Sequence, residues 1–280
     1  MGAICVISFH MFYALKIFIL SIPSRKHFIL SPHQKEHMDV PIKISVIIPA
    51  KNEEKYIKRL LDSLVSQTYN PFEIIVADAD STDNTAKIAV SYHAKIVKGG
   101  LPAKGRNEGA KVANGDYLFF FDADTFIEKN FMETCVKQIM SKKSLAGTAC
   151  NTPIYAFDEK GVKNKYVRFI DGIIYFIHNL FMRISSKTKN PLATGTFMYV
   201  KKEIFVRSNG FDESLVAFED AEFAKRLSHY GNFDVVKNTQ IFISTRRFDK
   251  KGRFSFPIFI GLRGFIGRRI FGEKRKGKYF

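Results

Sequence analysis

The chain has 280 residues, 46% of them hydrophobic, enough to bury a full core in one large domain or two small ones. Its three cysteines, Cys5, Cys135 and Cys150, are too few and too widely spaced for a disulfide framework or a metal cluster, a usage that suits a reducing compartment. The formal net charge of +17 is uneven: residues 245–280 carry 12 Lys/Arg against 2 Asp/Glu, residues 1–43 a net +3, and the body between them only +4. A nucleic-acid-binding domain shows its basic patch on the folded body, so this distribution argues against nucleic acid as a partner.

Gly2 to Ile22 is nearly all apolar and just reaches the roughly 20 residues that cross a bilayer. Lys16 lies near one end, where it can snorkel, and no small-residue cleavage site follows, unlike a signal peptide. Arg25 and Lys26 come directly after, and the positive-inside rule then puts the downstream chain in the cytoplasm. Residues 1–26 are therefore expected to be a single-pass membrane anchor, and residues 27–42, with Pro32 and Pro41, a linker.

From Lys43 the pattern alternates strand and helix. Lys43–Pro49 reads as a buried strand, followed by Asn52 as a helix N-cap and an apolar face of Tyr56, Ile57, Leu60, Leu61 and Leu64. Phe72–Ala77 is a second strand that ends in the acidic turn Asp78–Thr85, with a helix to about Tyr92. Lys95–Lys98 is a short third strand, and Lys104–Ala113 a basic, glycine-containing helix. Strands and helices alternating at this spacing indicate βαβ units and a parallel sheet. Beyond them the reading gives a strand at Ala146–Thr152, an apolar helix at Lys165–Ile184 and a strand at Gly195–Val200. A short helix at Lys202–Ser208, a helix from Glu219 to about His229, and strands at Phe233–Val236 and Gln240–Ser244 complete it. The tail, 249–280, mixes Lys and Arg with Phe254, Phe256, Phe259 and Phe265, the composition of a membrane-surface binder.

The stretch with the clearest chemistry is Tyr117–Phe121 followed by Asp122-Ala123-Asp124. A continuous apolar run marks a strand buried on both faces, and open α/β sheets bind ligands at the carboxyl ends of their strands. In extended backbone, residues two apart point to the same side, so both carboxylates could face one ligand. Like charges that close need a cation between them, and hard oxygens suit Mg²⁺ or Mn²⁺. The alternative is a solvated Asp-rich turn that caps the next helix.

Taken together, Val46–Glu54, Asp78–Thr85, Arg106-Asn107-Glu108-Gly109, Gly115-Asp116-Tyr117, Asp122-Ala123-Asp124, Gly210-Phe211-Asp212-Glu213 and Glu219–Phe223 resemble, in order and approximate spacing, the family-2 inverting glycosyltransferases. The resemblance covers roughly residues 43–247. It implies a single α/β catalytic domain of the GT-A type at 43–248, with a mostly parallel central sheet flanked by helices. It also implies a nucleotide-sugar donor, a divalent cation (Mg²⁺ or Mn²⁺), and transfer of the sugar with inversion to an acceptor hydroxyl or phosphate.

On that resemblance Asp124, assisted by Asp122, would hold the metal, and Asp122 would also touch the ribose. Pro49, Ala50, Glu53, Asp78 and Ala123 would line the nucleotide-sugar site. A carboxylate at Asp78 can accept the imide N–H of uracil, although the family has Asp-Gly where this chain has Ala79-Asp80, which leaves the base open. Glu53 serves either the nucleotide or a helix dipole. Lys104 and Arg106 would reach the diphosphate, Gly195 would face the donor sugar, and Arg247, within Arg246-Arg247-Phe248, would contact the diphosphate. Asp220 would be the general base that takes the acceptor proton, with Glu219 orienting it. The membrane features that flank the site make a membrane lipid or lipid-linked acceptor the expected partner. The alternative is a noncatalytic nucleotide-sugar-binding subunit of a glycan-assembly complex.

Overall fold

The computed structural model describes residues 41–154 and 165–244. The expected anchor, nearly all of the linker, the basic tail and Arg247 lie outside them. The described chain forms one eight-stranded sheet of order β3-β2-β1-β4-β7-β6-β8-β5. Its strands are β1 (Ile44–Ala50), β2 (Phe72–Asp78), β3 (Lys95–Lys98), β4 (Tyr117–Phe121), β5 (Thr125–Ile127), β6 (Ala146–Ile154), β7 (Phe197–Lys201) and β8 (Phe233–Ser244). The helices are α1 (Ile57–Val65), α2 (Thr85–Ser91), α3 (Pro102–Lys111), α4 (Phe131–Lys142), α5 (Lys165–Ser185), α6 (Lys202–Arg207) and α7 (Glu219–Leu227).

The sheet is mixed rather than mostly parallel. The first half is parallel throughout, with β1 pairing β2 and β4 and β2 pairing β3. β7 then runs antiparallel to both β4 and β6, β8 is parallel to β6, and β5 is antiparallel to β8. Only residues 122–124 separate β4 from β5, yet β5 pairs at the far edge of the strand order. The second half of the sheet therefore curls until that edge returns beside the end of β4.

The continuous apolar strands have a direct cause. Ile44, Val46, Ile48, Phe119 and Phe121 pack into one cluster with α1 and α4, while Ile47, Ile75, Leu118 and Phe120 pack into a second cluster with α3, α6 and α7. A strand covered on both faces has no polar side to present. The helix α4 and the strand β5 are absent from the sequence reading. Phe131, Met132, Cys135, Val136 and Ile139 are all buried at helical spacing in α4, so that pattern was available. Cys135 is a core thiol, its ionisation pushed well up by burial. The two strands expected at 233–236 and 240–244 are one strand, β8, interrupted at Asn238 by a left-handed residue (φ 60°).

Helix α3 lies close on β1 because its inner face is small. A Cβ on Gly105 would stand 3.0 Å from Cβ of Pro49, and one on Gly109 only 2.4 Å from Cγ2 of Ile47. Gly109→Ala should therefore destabilise the fold by about 1–3 kcal/mol, the usual range for an overpacked core. Gly172→Ala in α5, where a Cβ meets nothing within 4 Å, should instead gain up to about 1 kcal/mol of helix propensity. Urea denaturation midpoints of the two variants check this opposition of sign.

Candidate active site

The carboxyl ends of β1, β2 and β4 form the floor of the cleft. Ala50 pairs with Asp78 at the ends of β1 and β2, and the two loops that follow are hydrogen-bonded to each other. The Asn52 amide donates to Ser81 Oγ at 2.9 Å, Thr82 N donates to Asn52 Oδ1 at 2.8 Å, and the Glu53 amide donates to Thr85 Oγ1 at 2.8 Å. Asn52 is thus no helix cap. It sits in the left-handed region (φ 53°) as a bracket between loops, and α1 begins only at Ile57. Asp80 takes the same conformation (φ 56°). Glycine adopts it freely and Asp tolerates it, so Ala79-Asp80 makes the turn for which the family resemblance expects Asp-Gly. Asp78 accepts the Ser81 amide through Oδ2 at 3.0 Å, while Oδ1 is buried and accepts no hydrogen bond among the described residues.

Asp122-Ala123-Asp124 is a turn, not strand. β4 ends at Phe121, and the chain turns through Ala123 and Asp124 into β5, so side-chain alternation along a strand does not set the two carboxylates side by side. Asp122 is half-buried, whereas Asp124 is 2% exposed. Thr125 Oγ1 donates to the Asp122 carbonyl at 2.8 Å and fixes the turn.

Arg106 is the centre of the site. Its side chain is 2% exposed; Nη1 donates to Glu219 Oε1 at 2.8 Å and Nη2 to Asp122 Oδ1 at 3.0 Å, with a longer contact of 3.4 Å to the Gly195 carbonyl. The guanidinium stands 5.3 Å from the Phe211 ring centroid. Burial works against its charge, but Glu219 and Asp122 outweigh that and hold it ionised above the usual arginine range. Arg106 therefore turns inward between two carboxylates, whereas Lys104, two residues earlier on α3, is exposed. A Cβ at Gly195 would lie 2.5 Å from Arg106 Nη2 and 3.3 Å from Asp122 Oδ1, so a side chain there would push against the pair.

The acids of α7 enter from the opposite side. Phe218 precedes the helix in the left-handed region (φ 64°), a strained conformation for an aromatic residue, and the first turn then carries Glu219, Asp220 and Glu222. Glu219 is buried. Asp220 keeps part of its surface accessible and accepts the Ala221 amide through Oδ1 at 2.7 Å. Desolvation first, then the Glu219 charge, pushes its carboxyl up to about 7, against the pull of Arg106.

Two positioning residues went unread in the sequence. Asn107 Nδ2 donates to the Phe211 carbonyl at 2.8 Å and Asn107 Oδ1 accepts the Phe211 amide at 2.9 Å. Arg226 donates to the carbonyls of Ser208 and Gly210 and pairs with Glu222. Between them they pin the turn at Gly210 (φ 61°) that leads to α7. The signal was the pairing of two motifs, Arg106-Asn107 and Gly210-Phe211, that reading along the chain treats separately.

The fold and this arrangement together define an α/β protein of the GT-A kind. The chain belongs to glycosyl transferase family 2, whose profile matches residues 45–207, more than half of its length. It is similar to the poly(ribitol-phosphate) β-N-acetylglucosaminyltransferase TarS of Staphylococcus aureus, 38% identical over 102 residues, which are 33% of this chain and 18% of TarS. It is 28% identical to the rhamnosyltransferase WbbL of Escherichia coli K12 over 210 residues, 67% of this chain and 78% of WbbL. In three dimensions it resembles TarS residues 1–349 in complex with UDP-GlcNAc, with a TM-score of 0.55, 25% identity and coverage of 73% of this chain and 59% of that one. The fold is shared with the mannosyltransferase PcManGT of Pyrobaculum calidifontis in complex with GDP-Man and Mn²⁺, with a TM-score of 0.60, 20% identity and coverage of 88% and 69%.

Removing the central cation should be severe. Arg106→Met leaves Asp122 and Glu219 without their buried partner, and breaking a buried pair in this way costs about 3–5 kcal/mol; chemical denaturation at neutral pH measures it. The raised Asp220 value gives a second expectation. With a folded value near 7 against 3.8 for the free side chain, the metal-free fold binds an extra proton between those limits. Its stabilising contribution is full below about pH 4 and gone above about pH 7. The stability difference between wild type and Asp220→Asn should therefore change across that window, with wild type losing ground as pH rises. Denaturation midpoints at pH 4, 5.5, 7 and 8 check it.

Proposed function

We propose that the protein transfers a sugar from a nucleoside-diphosphate sugar to an acceptor hydroxyl with inversion, and that the domain at 43–248 carries the reaction. The observation that supports this best is the Arg106 bridge. Through it the carboxylate at the end of β4 and the acids that open α7, nearly a hundred residues apart in sequence, share one cleft. That is the arrangement a direct displacement needs, with leaving-group chemistry on one side and a proton acceptor on the other.

In the proposed reaction the acceptor oxygen attacks the anomeric carbon from the face opposite the diphosphate. Asp220 takes the hydroxyl proton as the new C–O bond forms, and the bond to the diphosphate oxygen breaks with its electron pair leaving on the nucleotide. A carboxyl with a value near 7 is matched to accept a proton at neutral pH. Glu219, held by Arg106, fixes the start of α7 and so the aim of Asp220. Lys104, exposed on α3, is assigned to the diphosphate. Asp78 is assigned to the base: its buried Oδ1, which accepts no hydrogen bond among the described residues, would take the ring N–H of uracil, thymine or guanine, where cytosine offers only its exocyclic amine.

The donor set of the β4–β5 turn fits a hard divalent cation. Among the described residues no group of three or more potential ligands assembles, but Mg²⁺ is ordinarily held by one or two carboxylates with substrate phosphate oxygens completing the shell. Asp122 and Asp124 would supply those carboxylates, and the ion would neutralise the charge of the departing diphosphate. Residues 1–26 as a cytoplasm-facing anchor and 249–280 as a basic membrane-associated tail complete the proposal, and a lipid-linked acceptor is the partner it favours.

A thermal-shift panel of UDP-, dTDP-, GDP- and CMP-sugars with and without Mn²⁺ tests the donor side. One or more of the first three should raise the transition in a Mn²⁺-dependent way, by about 2.7 kcal/mol at a hundredfold excess over Kd, while the CMP-sugar should not. No response to any nucleotide sugar would overturn the reading. Asp220→Asn should keep the donor shift and lose about 10²-fold or more in turnover, and near-normal turnover would remove Asp220 from the base role.

A further inference from the structure

The helix α5 is turned the wrong way round for a core element. Its one acid, Asp171, is fully buried, together with Tyr175 and Met182. Its large apolar side chains instead face outward: Phe169 is 66% exposed, Phe176 55% and Phe181 58%, with Ile173, Leu180 and Ile184 between and beyond them. Spacings of three and four residues put these on one stripe. A contiguous exposed apolar surface of this kind marks a membrane or protein contact. The whole helix, 21 residues, is about 31 Å long at 1.5 Å per residue.

We propose that this outward stripe of α5 seats in the surface of an anionic bilayer, with the helix axis in the membrane plane. Charge selects the occupant. From Lys165 to Lys189 the sequence holds five basic residues, Lys165, Arg168, Arg183, Lys187 and Lys189, against the single acid that the fold buries. Arg183, Lys187 and Lys189 are exposed. An apolar face followed by exposed cations, with no acid of its own to repel lipid phosphates, is the composition of an interfacial helix whose stripe sinks about 5–10 Å into the headgroup boundary. The helix is also no span: among the described residues no helix is long and apolar enough to cross a membrane.

The connection to the cleft is short. Ser185 Oγ accepts the Leu192 amide at 2.9 Å, and Ser228, just past α7, donates to the Lys189 carbonyl at 3.0 Å. Three residues after Leu192 the chain reaches Gly195, whose carbonyl faces Arg106. A bilayer holding α5 therefore holds the acceptor side of the site near its surface, which suits an acceptor carried on lipid. Membrane seating of α5 stands whether or not the cleft transfers a sugar, and its test reads no activity.

The chain contains no tryptophan, so Phe176→Trp in the full-length protein gives a single indole reporter on the stripe, and Val206→Trp, at an exposed position on α6, gives a control. On adding vesicles of phosphatidylglycerol and phosphatidylcholine, the emission at position 176 should shift to the blue and become shielded from iodide. Position 206 should stay accessible, and pure phosphatidylcholine should give a weaker response. The double variant Phe176→Asp/Phe181→Asp should lower vesicle affinity at least about tenfold, since burying one such side chain is worth 1.5 kcal/mol or more. Protein that sediments with vesicles while position 176 remains open to iodide would assign the binding to other segments and overturn the proposal. Shielding of position 176 without vesicles, growing with protein concentration, would make the occupant a second copy and overturn it too. Equal shielding at 176 and 206 would mean insertion without this orientation.

Discussion

Arg106 carries a full positive charge at 2% exposure, and its surroundings are arranged to tolerate it. An isolated buried guanidinium is prohibitively unfavourable. Two carboxylates supply compensating charge, the Gly195 carbonyl adds a contact, and the Phe211 ring lies against the cation. Its Nε finds no acceptor among the described residues, so even this pairing is incomplete. Each compensation imposes a constraint elsewhere. A side chain at residue 195 would push against the pair, α3 has to approach β1 closely enough to need Gly105 and Gly109, and the turn at 208–213 has to bring Phe211 and α7 into range. One buried charge thus ties the parallel half of the sheet to the curled half.

The bridge also sets the electrostatics of the cleft. Glu219 and Asp122 both pair with Arg106, and burial first, then the neighbouring Glu219 charge, raises Asp220, which has no cation of its own within hydrogen-bonding range among the contacts described. Three carboxylates and one guanidinium leave the pocket net negative. Such a site would repel a diphosphate unless further positive charge arrives with it.

Much of the fold was legible because its strands are buried on both faces. β1, β2 and β4 read as unbroken apolar runs and could hardly be anything else. What stayed hidden depended on tertiary context. β5 is three residues long and exists only because the sheet curls to give it β8 as a partner. The antiparallel β7 is inserted beside β4 by a connection that local periodicity does not encode. Of the residues singled out by type and position, Asp122 and Glu219 are brought together on Arg106. The direction of Arg106 could not be read in the sequence: an arginine on a basic, glycine-rich helix reads equally well as solvent-facing, and only the positions of Asp122 and Glu219 in space decide that it points inward. Asn52 illustrates the same limit, since the residue types that cap helices also bracket loops.

The α5 stripe reverses the usual inference from periodicity. A helical repeat of large apolar residues ordinarily identifies the face turned to the core, and periodicity alone does not say which way this helix faces. The fold resolves the orientation through the residues that interrupt the stripe. Asp171 and Tyr175 are the polar members of α5 that are buried, and a helix rotates to bury a carboxylate only where the protein offers that group something that solvent or lipid does not. Once those residues face inward, geometry at 3.6 residues per turn forces Phe169, Ile173, Phe176 and Leu180 outward as a set. The exposed apolar surface is then the consequence of a specific inward commitment. Exposed Arg183, Lys187 and Lys189 follow that stripe, and on their charge rests the assignment of an anionic surface to it.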